Sequence, residues 1–273
     1  MKYLKVLYEN RQSMHNITIH KLKASFANQI FGLGWAIINP LVYILSFWFF
    51  FAFGLKESDP ILGIPFIMWL FPGILAYRQV SGYMTKAPNF IVKNKVLVKT
   101  IKFPVMTLPV IEILQELYIH VLVMVVMFGL YALIGLNQSG TWAYLPDIYY
   151  LNFIYYWFAM LVFGVGVSLV LSPLGVLIKD TRPLMSAIMQ PMFWITPVLY
   201  TVEGGLSPTM EKVQMLGNPL YFFVAGYRDT MAYNRFFFEQ PLYDLYFWFL
   251  MVVLYLVGFK IWTKTRELMP DLI

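Results

Sequence analysis

Six apolar stretches dominate this chain, near residues 32–55, 61–83, 105–134, 150–177, 184–200 and 241–262, with short polar or basic segments between them. A bilayer's hydrocarbon core is about 30 Å thick and a helix rises about 1.5 Å per residue, so roughly 20 mostly apolar residues make one crossing. The pattern predicts an all-α integral membrane protein with six transmembrane helices in a single domain, residues 1–273. Composition agrees, because only 12% of the residues are charged, against about 25% in a usual soluble domain.

Orientation follows from the basic residues. With both termini in the cytoplasm, only Lys56, Lys212, Arg228 and Arg235 of the 20 Lys and Arg residues fall on outer segments, the bias expected of a multi-pass protein. Within residues 1–30, Leu4, Leu7, Tyr8, Leu22 and Phe26 recur at helical spacing among Lys2, Lys5, Arg11, Lys21 and Lys23. That spacing suggests a basic amphipathic helix lying in the membrane surface, or else docked on a neighbouring subunit. The segment has neither the apolar core nor the cleavage site of a signal peptide, so it is expected to stay in the mature protein.

Residues 201–240 join the last two spans on the outer side. They include "GNPLYFFVAGYRDTM", too apolar for an open loop and too short to cross. Two half-helices re-entering the outer leaflet would fit, since irregular backbone is tolerated there when protein or water covers it. An amphipathic loop packed on the protein is the alternative. Tyr227, Arg228 and Asp229 belong to this segment, and the charged pair is expected near the interface or along a polar path.

The sequence excludes several chemistries. There is no cysteine, and His15, His20 and His120 have no metal-ligand spacing. No G-x-x-x-x-G-K-[ST], H-E-x-x-H or G-x-S-x-G occurs. No catalytic residue, metal site or cofactor is therefore expected in this chain, nor a nucleic-acid partner. Energy for any driven process must come from another subunit.

Three constellations remain. Lys95, Lys99 and Lys102 fall on one helical face of the basic loop 85–104, suited to anionic headgroups or to setting topology. Glu112, Glu116 and His120 recur at i, i+4 and i+8 beside Gln115, so this stripe should look inward, for structural pairing ahead of a proton relay. Aromatic residues, 24 Phe, 19 Tyr and 8 Trp, cluster at the expected interfaces but also lie inside spans, as do Trp35, Tyr43, Trp48, Phe193, Trp194 and Tyr200. Interfacial anchoring explains many; an aromatic path for a sliding glycan is the other reading.

The segments "FGLGWAIINPLVYILSFWFFFAFGL", "NKVLVKTIKFPVMTLP", "IKDTRPLMSAIMQPMFWITPVLY" and "LGNPLYFFVAGYRDTM" carry GxxWxxxxP, TPVxY and NPxxxxxxxYR patterns. In these the chain resembles the membrane subunits of ABC-type polysaccharide exporters, the O-antigen and wall teichoic acid permeases, with "FAFGLK" leaning to the teichoic acid branch. The resemblance implies a homodimer in the bacterial cell membrane working with two ATPase subunits, which supply ATP and Mg2+, on a lipid-linked glycan for envelope biogenesis. It implies six spans, an N-terminal interface helix and re-entrant helices before the last span. By the same resemblance, Pro88, Asn89 and Phe90 in 84–104, and Lys179, Asp180 and Arg182 in 178–183, couple to the ATPase. Trp35, Asn39, Tyr43, Trp48, Phe193, Trp194, Thr196 and Tyr200 belong to the path-lining first and fifth spans, and Arg228 is the re-entrant arginine. Export of small amphipathic molecules, or a membrane polyprenyl glycosyltransferase, are the competing functions.

Overall fold

A computed structural model describes residues 2–27, 29–55, 64–95, 104–139, 146–201 and 207–265. Lys99 and Lys102, with the rest of 96–103, and residues 202–206 lie outside them. Among the described residues the chain is helical, with no strand. The helices are α1 (Lys2–Glu9), α2 (Arg11–Phe26), α3 (Gly34–Phe49), α4 (Phe66–Lys86), α5 (Phe90–Lys93) and α6 (Leu108–Ser139). They are followed by α7 (Asn152–Leu177), α8 (Thr181–Ile195), α9 (Pro208–Gly217), α10 (Pro219–Arg228) and α11 (Pro241–Thr265).

Three helical runs are long and apolar enough to cross a membrane: Val105–Leu133, Ile148–Leu177 and Pro241–Thr265. They answer the third, fourth and sixth apolar stretches. The other three are less simple. α3 has 16 residues and runs on into a π-helical turn at Phe50–Leu55. α4 has 21 residues but mixes Arg78, Gln79 and Lys86 with its apolar part. α8 ends at Ile195 rather than near 200, because Thr196 is extended (ψ 132) and Pro197 follows; proline disfavours a helical residue before it and has no N–H for a further turn.

α4 is the central post. Met68, Trp69, Leu70, Phe71, Ile74, Leu75, Ala76 and Tyr77 are all buried, so the helix is enclosed on every side over this stretch. It packs against α7, α8 and α10, and α7 in turn packs along α11. Lipid is as apolar as leucine, so close packing and buried hydrogen bonds hold such helices together. Tyr131 of α6 donates to the Met68 carbonyl, and Trp69 Nε1 donates to Tyr233 Oη at 2.7 Å.

The segment expected on the outer side holds two ten-residue helices, α9 and α10, each too short to cross. Asn218 sets the corner. Its Oδ1 accepts from Leu220 N at 3.2 Å as the α10 cap, Pro219 takes the first helical position, and Nδ2 donates to Thr196 Oγ1 at 2.9 Å.

The N-terminal reading needs correcting. The segment is two helices broken at Asn10, whose side chain donates to Val6 O at 2.8 Å. α2 packs on α6 through a mixed face, with Met14 and Thr18 buried, Lys21 reaching Glu112 and Ser25 accepting from Gln115. Tyr3 of α1 packs edge-on against Phe259 of α11, centroids 5.2 Å apart. These residues bury a face that the Leu and Tyr periodicity did not mark.

Candidate translocation site

Two openings flank α3. The first is a cavity of about 550 Å³ bounded by α2, α3, α4 and α6, with a polar wall that includes Arg78, Lys86, Lys93, Glu112 and Glu116. The second is a groove of about 700 Å³ between α3, α4 and α8, lined by Tyr43, Phe47, Tyr77, Phe193 and Trp194. Arg78, Gly82 and Thr85 border both. An apolar hollow of about 260 Å³ shares Phe47 and Trp194 with the groove and reaches Phe50, Phe51 and Leu199.

The cavity's carboxylates are already answered. Glu112 is buried, and Oε1 accepts from Lys21 and from Asn94 Nδ2 at 2.8 Å, while Lys93 Nζ stands 3.6 Å from Oε2. Burial, then the Lys93 ammonium, lowers Lys21 to about 8, and the adjoining carboxylate favours its charged form. Lys86 donates to Glu116 Oε2 at 2.6 Å. His120 Nε2 lies 2.6 Å from the Tyr227 hydroxyl, which also accepts from Trp157 Nε1 at 3.1 Å. The stripe Glu112, Glu116 and His120 thus looks inward, as its spacing implies, and every member has a partner.

The groove is an aromatic wall. Phe193 meets Phe47 at 5.3 Å, Tyr77 at 5.3 Å and Tyr43 at 6.4 Å between ring centroids. The Tyr77 hydroxyl donates to Met189 O at 2.8 Å and so ties α4 to α8. The Arg78 guanidinium stacks over Tyr43 at 4.4 Å.

The residues expected along the path divide. Tyr43, Phe193 and Trp194 line the groove, whereas Trp35 and Asn39 line the polar cavity. Trp48 packs edge-on against Phe53, centroids 5.8 Å apart. Thr196 is buried and accepts from Asn218, and Tyr200 Oη donates to Ile195 O at 2.7 Å, so both brace the end of α8. Sequence reasoning did not select Phe47, Tyr77 or Arg78 for the site. The signal was there for the last: an arginine inside the second apolar stretch, used only to assign orientation.

Arg228 departs from expectation. It is 3% exposed, enclosed by protein and not lining an open polar path. Its two terminal nitrogens donate to Pro197 O at 2.6 Å and Val198 O at 2.5 Å, with the Trp69 ring 3.6 Å beneath. The abrupt end of α8 bares these carbonyls inside the protein, and the guanidinium supplies their donors. Tyr227 beside it is buried as well, and Asp229 faces Arg235 at 4.0 Å.

At the expected coupling segments, Pro88 and Phe90 are buried and Asn89 borders the cavity. Ser172 of α7 donates to Ala87 O at 2.8 Å, and a Cβ at Gly175 would stand 2.0 Å from Pro88 O, so only glycine permits this contact. Lys179 and Asp180 are exposed at the α7–α8 turn, while Arg182 folds back toward Gly175 O at 3.5 Å. Lys95 is exposed too.

The sequence is 24% identical over 255 residues to the O-antigen export system permease protein RfbA of Klebsiella pneumoniae, covering 92% of this chain and 90% of that one. It is 23% identical over 247 residues, 90% of each chain, to the protein of the same name from Myxococcus xanthus. The chain is similar to these export permeases. The likeness runs through nearly the whole length, as the motif resemblance to polysaccharide-exporter membrane subunits implied. No protein-family profile matches it. The long apolar helices and this likeness are those of a membrane protein.

Proposed function

We propose that this chain is the membrane subunit of an ATP-driven exporter that moves a lipid-linked polysaccharide from the cytoplasmic to the outer side of the membrane. The groove of Tyr43, Phe47, Tyr77, Phe193 and Trp194 carries this reading. Aromatic faces stack on the C–H faces of sugar rings, so such a wall offers a glycan many similar sites and no deep trap. The names of the relatives favour an O-antigen-type polymer; the teichoic acid lean rested on one aromatic run and gains no further support.

In this reading two copies face each other across α3 and α8, whose Val42, Leu45, Phe49, Leu184 and Ile188 are exposed on the single chain. Two ATPase subunits dock on the cytoplasmic side at Lys179 and Asp180, with the packed turn Ala87–Asn89 behind them. α9 and α10 re-enter the outer leaflet. Six crossings, both termini in the cytoplasm and a headgroup contact at Lys95, Lys99 and Lys102 belong to the same proposal. ATP drives export only by binding one helix arrangement better than the other.

The test is purification of this chain with its ATPase partner and reconstitution of the complex. A polyprenyl-diphosphate-linked glycan should stimulate ATP hydrolysis several-fold, and hydrophobic drugs should not. Stimulation by drugs alone would replace the reading with export of small amphipathic molecules, and glycosyl transfer by the isolated chain would replace it with an enzyme.

A further inference from the structure

An arginine inside an apolar stretch expected to cross a membrane is costly and normally faces protein, water or a charge partner. Arg78 has no charge partner among the described residues. The cavity's carboxylates, Glu112 and Glu116, are held by Lys21, Lys93 and Lys86. What Arg78 does have is the Tyr43 ring at 4.4 Å. Stacking occupies the face of a guanidinium and leaves its donors free, because all five N–H bonds lie in its plane. The side chain is exposed and borders both the polar cavity and the aromatic groove. The cavity wall therefore carries three cations against two carboxylates, and the unmatched one stands where the two spaces meet.

We propose that Arg78 binds a phosphate group at the junction of cavity and groove, and so recognises the diphosphate of a lipid-linked cargo inside the helix bundle. This rests on the export reading above. A planar fork of donors fits two phosphate oxygens at once, which a lysine ammonium cannot do. Part-buried Lys21 and the more exposed Lys86 and Lys93 each face a carboxylate, Glu112 being shared by two of them, so among the described residues Arg78 is the cation at the junction with no carboxylate opposite it. The same chemistry could come from a polyprenyl diphosphate or from an anionic phospholipid headgroup.

The experiment uses the chain with its ATPase in phosphatidylcholine liposomes. One series is titrated with polyprenyl-diphosphate-linked glycan, a second with phosphatidylglycerol and no glycan, and ATP hydrolysis is followed. Arg78→Gln should raise the half-saturating glycan concentration about tenfold with little loss of plateau, as expected for one charge-assisted contact. Arg78→Lys should recover part of this, and Lys264→Gln, an exposed charge at the far end of α11, should leave it unchanged. A shift confined to the phosphatidylglycerol series keeps Arg78 as a phosphate site but assigns it to bilayer lipid. Equal half-saturation for wild type and Arg78→Gln in both series overturns the proposal. A wild-type complex that the glycan fails to stimulate defeats the export reading instead, and the phosphatidylglycerol series then still decides the fate of Arg78.

Discussion

Arg228 and Arg78 each stack on an aromatic ring, at 3.6 Å over Trp69 and 4.4 Å over Tyr43, but they do so in regions built on opposite terms. Around Arg228, helices α4 and α10 and the turn after α8 bury the side chain, and two carbonyls accept from its terminal nitrogens. Around Arg78 two cavities open, and its donors have no partner among the described residues. The same cation–ring pair is a structural clamp where backbone carbonyls take both terminal nitrogens and a recognition element where none does. Burial and the presence of acceptors together separate the two roles.

The largest effect that would sharpen this contrast is Arg228→Ala. It strips donors from two buried carbonyls and opens a hole over Trp69, so it should lower unfolding stability by about 3 kcal/mol or more. Denaturant titration in lipid micelles measures it, and a near-wild-type midpoint would mean that water already serves those carbonyls. Gly175→Ala comes next, at about 2 kcal/mol by the same titration, because its methyl meets backbone at Pro88 rather than a yielding side chain. Glu112→Gln should cost about 1–2 kcal/mol, the smaller value reflecting partly solvated lysines. Its signature is local: faster hydrogen exchange in α2 than elsewhere. Smallest is Arg78→Ala, which should stay within about 0.5 kcal/mol of wild type. A loss near that of Arg228→Ala would erase the distinction between the two regions.

Some of this was legible in the sequence, and some could not be. Long apolar runs announced α6, α7 and α11, since run length alone decides whether a helix fits a bilayer. The spacing of Glu112, Glu116 and His120 fixed their common face, but their partners Lys21, Lys86 and Tyr227 lie on other helices, and no local period encodes a meeting between distant segments. The face that α2 buries was missed for the same reason: Lys21 and Ser25 look like solvent residues until Glu112 and Gln115 stand opposite. TPVxY and NPxxxxxxxYR were visible as motifs. That the arginine of one holds the carbonyls of the other became apparent only when α8 stopped at Ile195.

The contact between Gly175 and Pro88 has a mechanical consequence. With no side chain between them, the turn Ala87–Asn89 and the body of α7 lack slack, and neither can roll without carrying the other along. A push delivered at residues 87–90 would reach α7, and through it the packed flank of α11, as displacement instead of being absorbed as compliance.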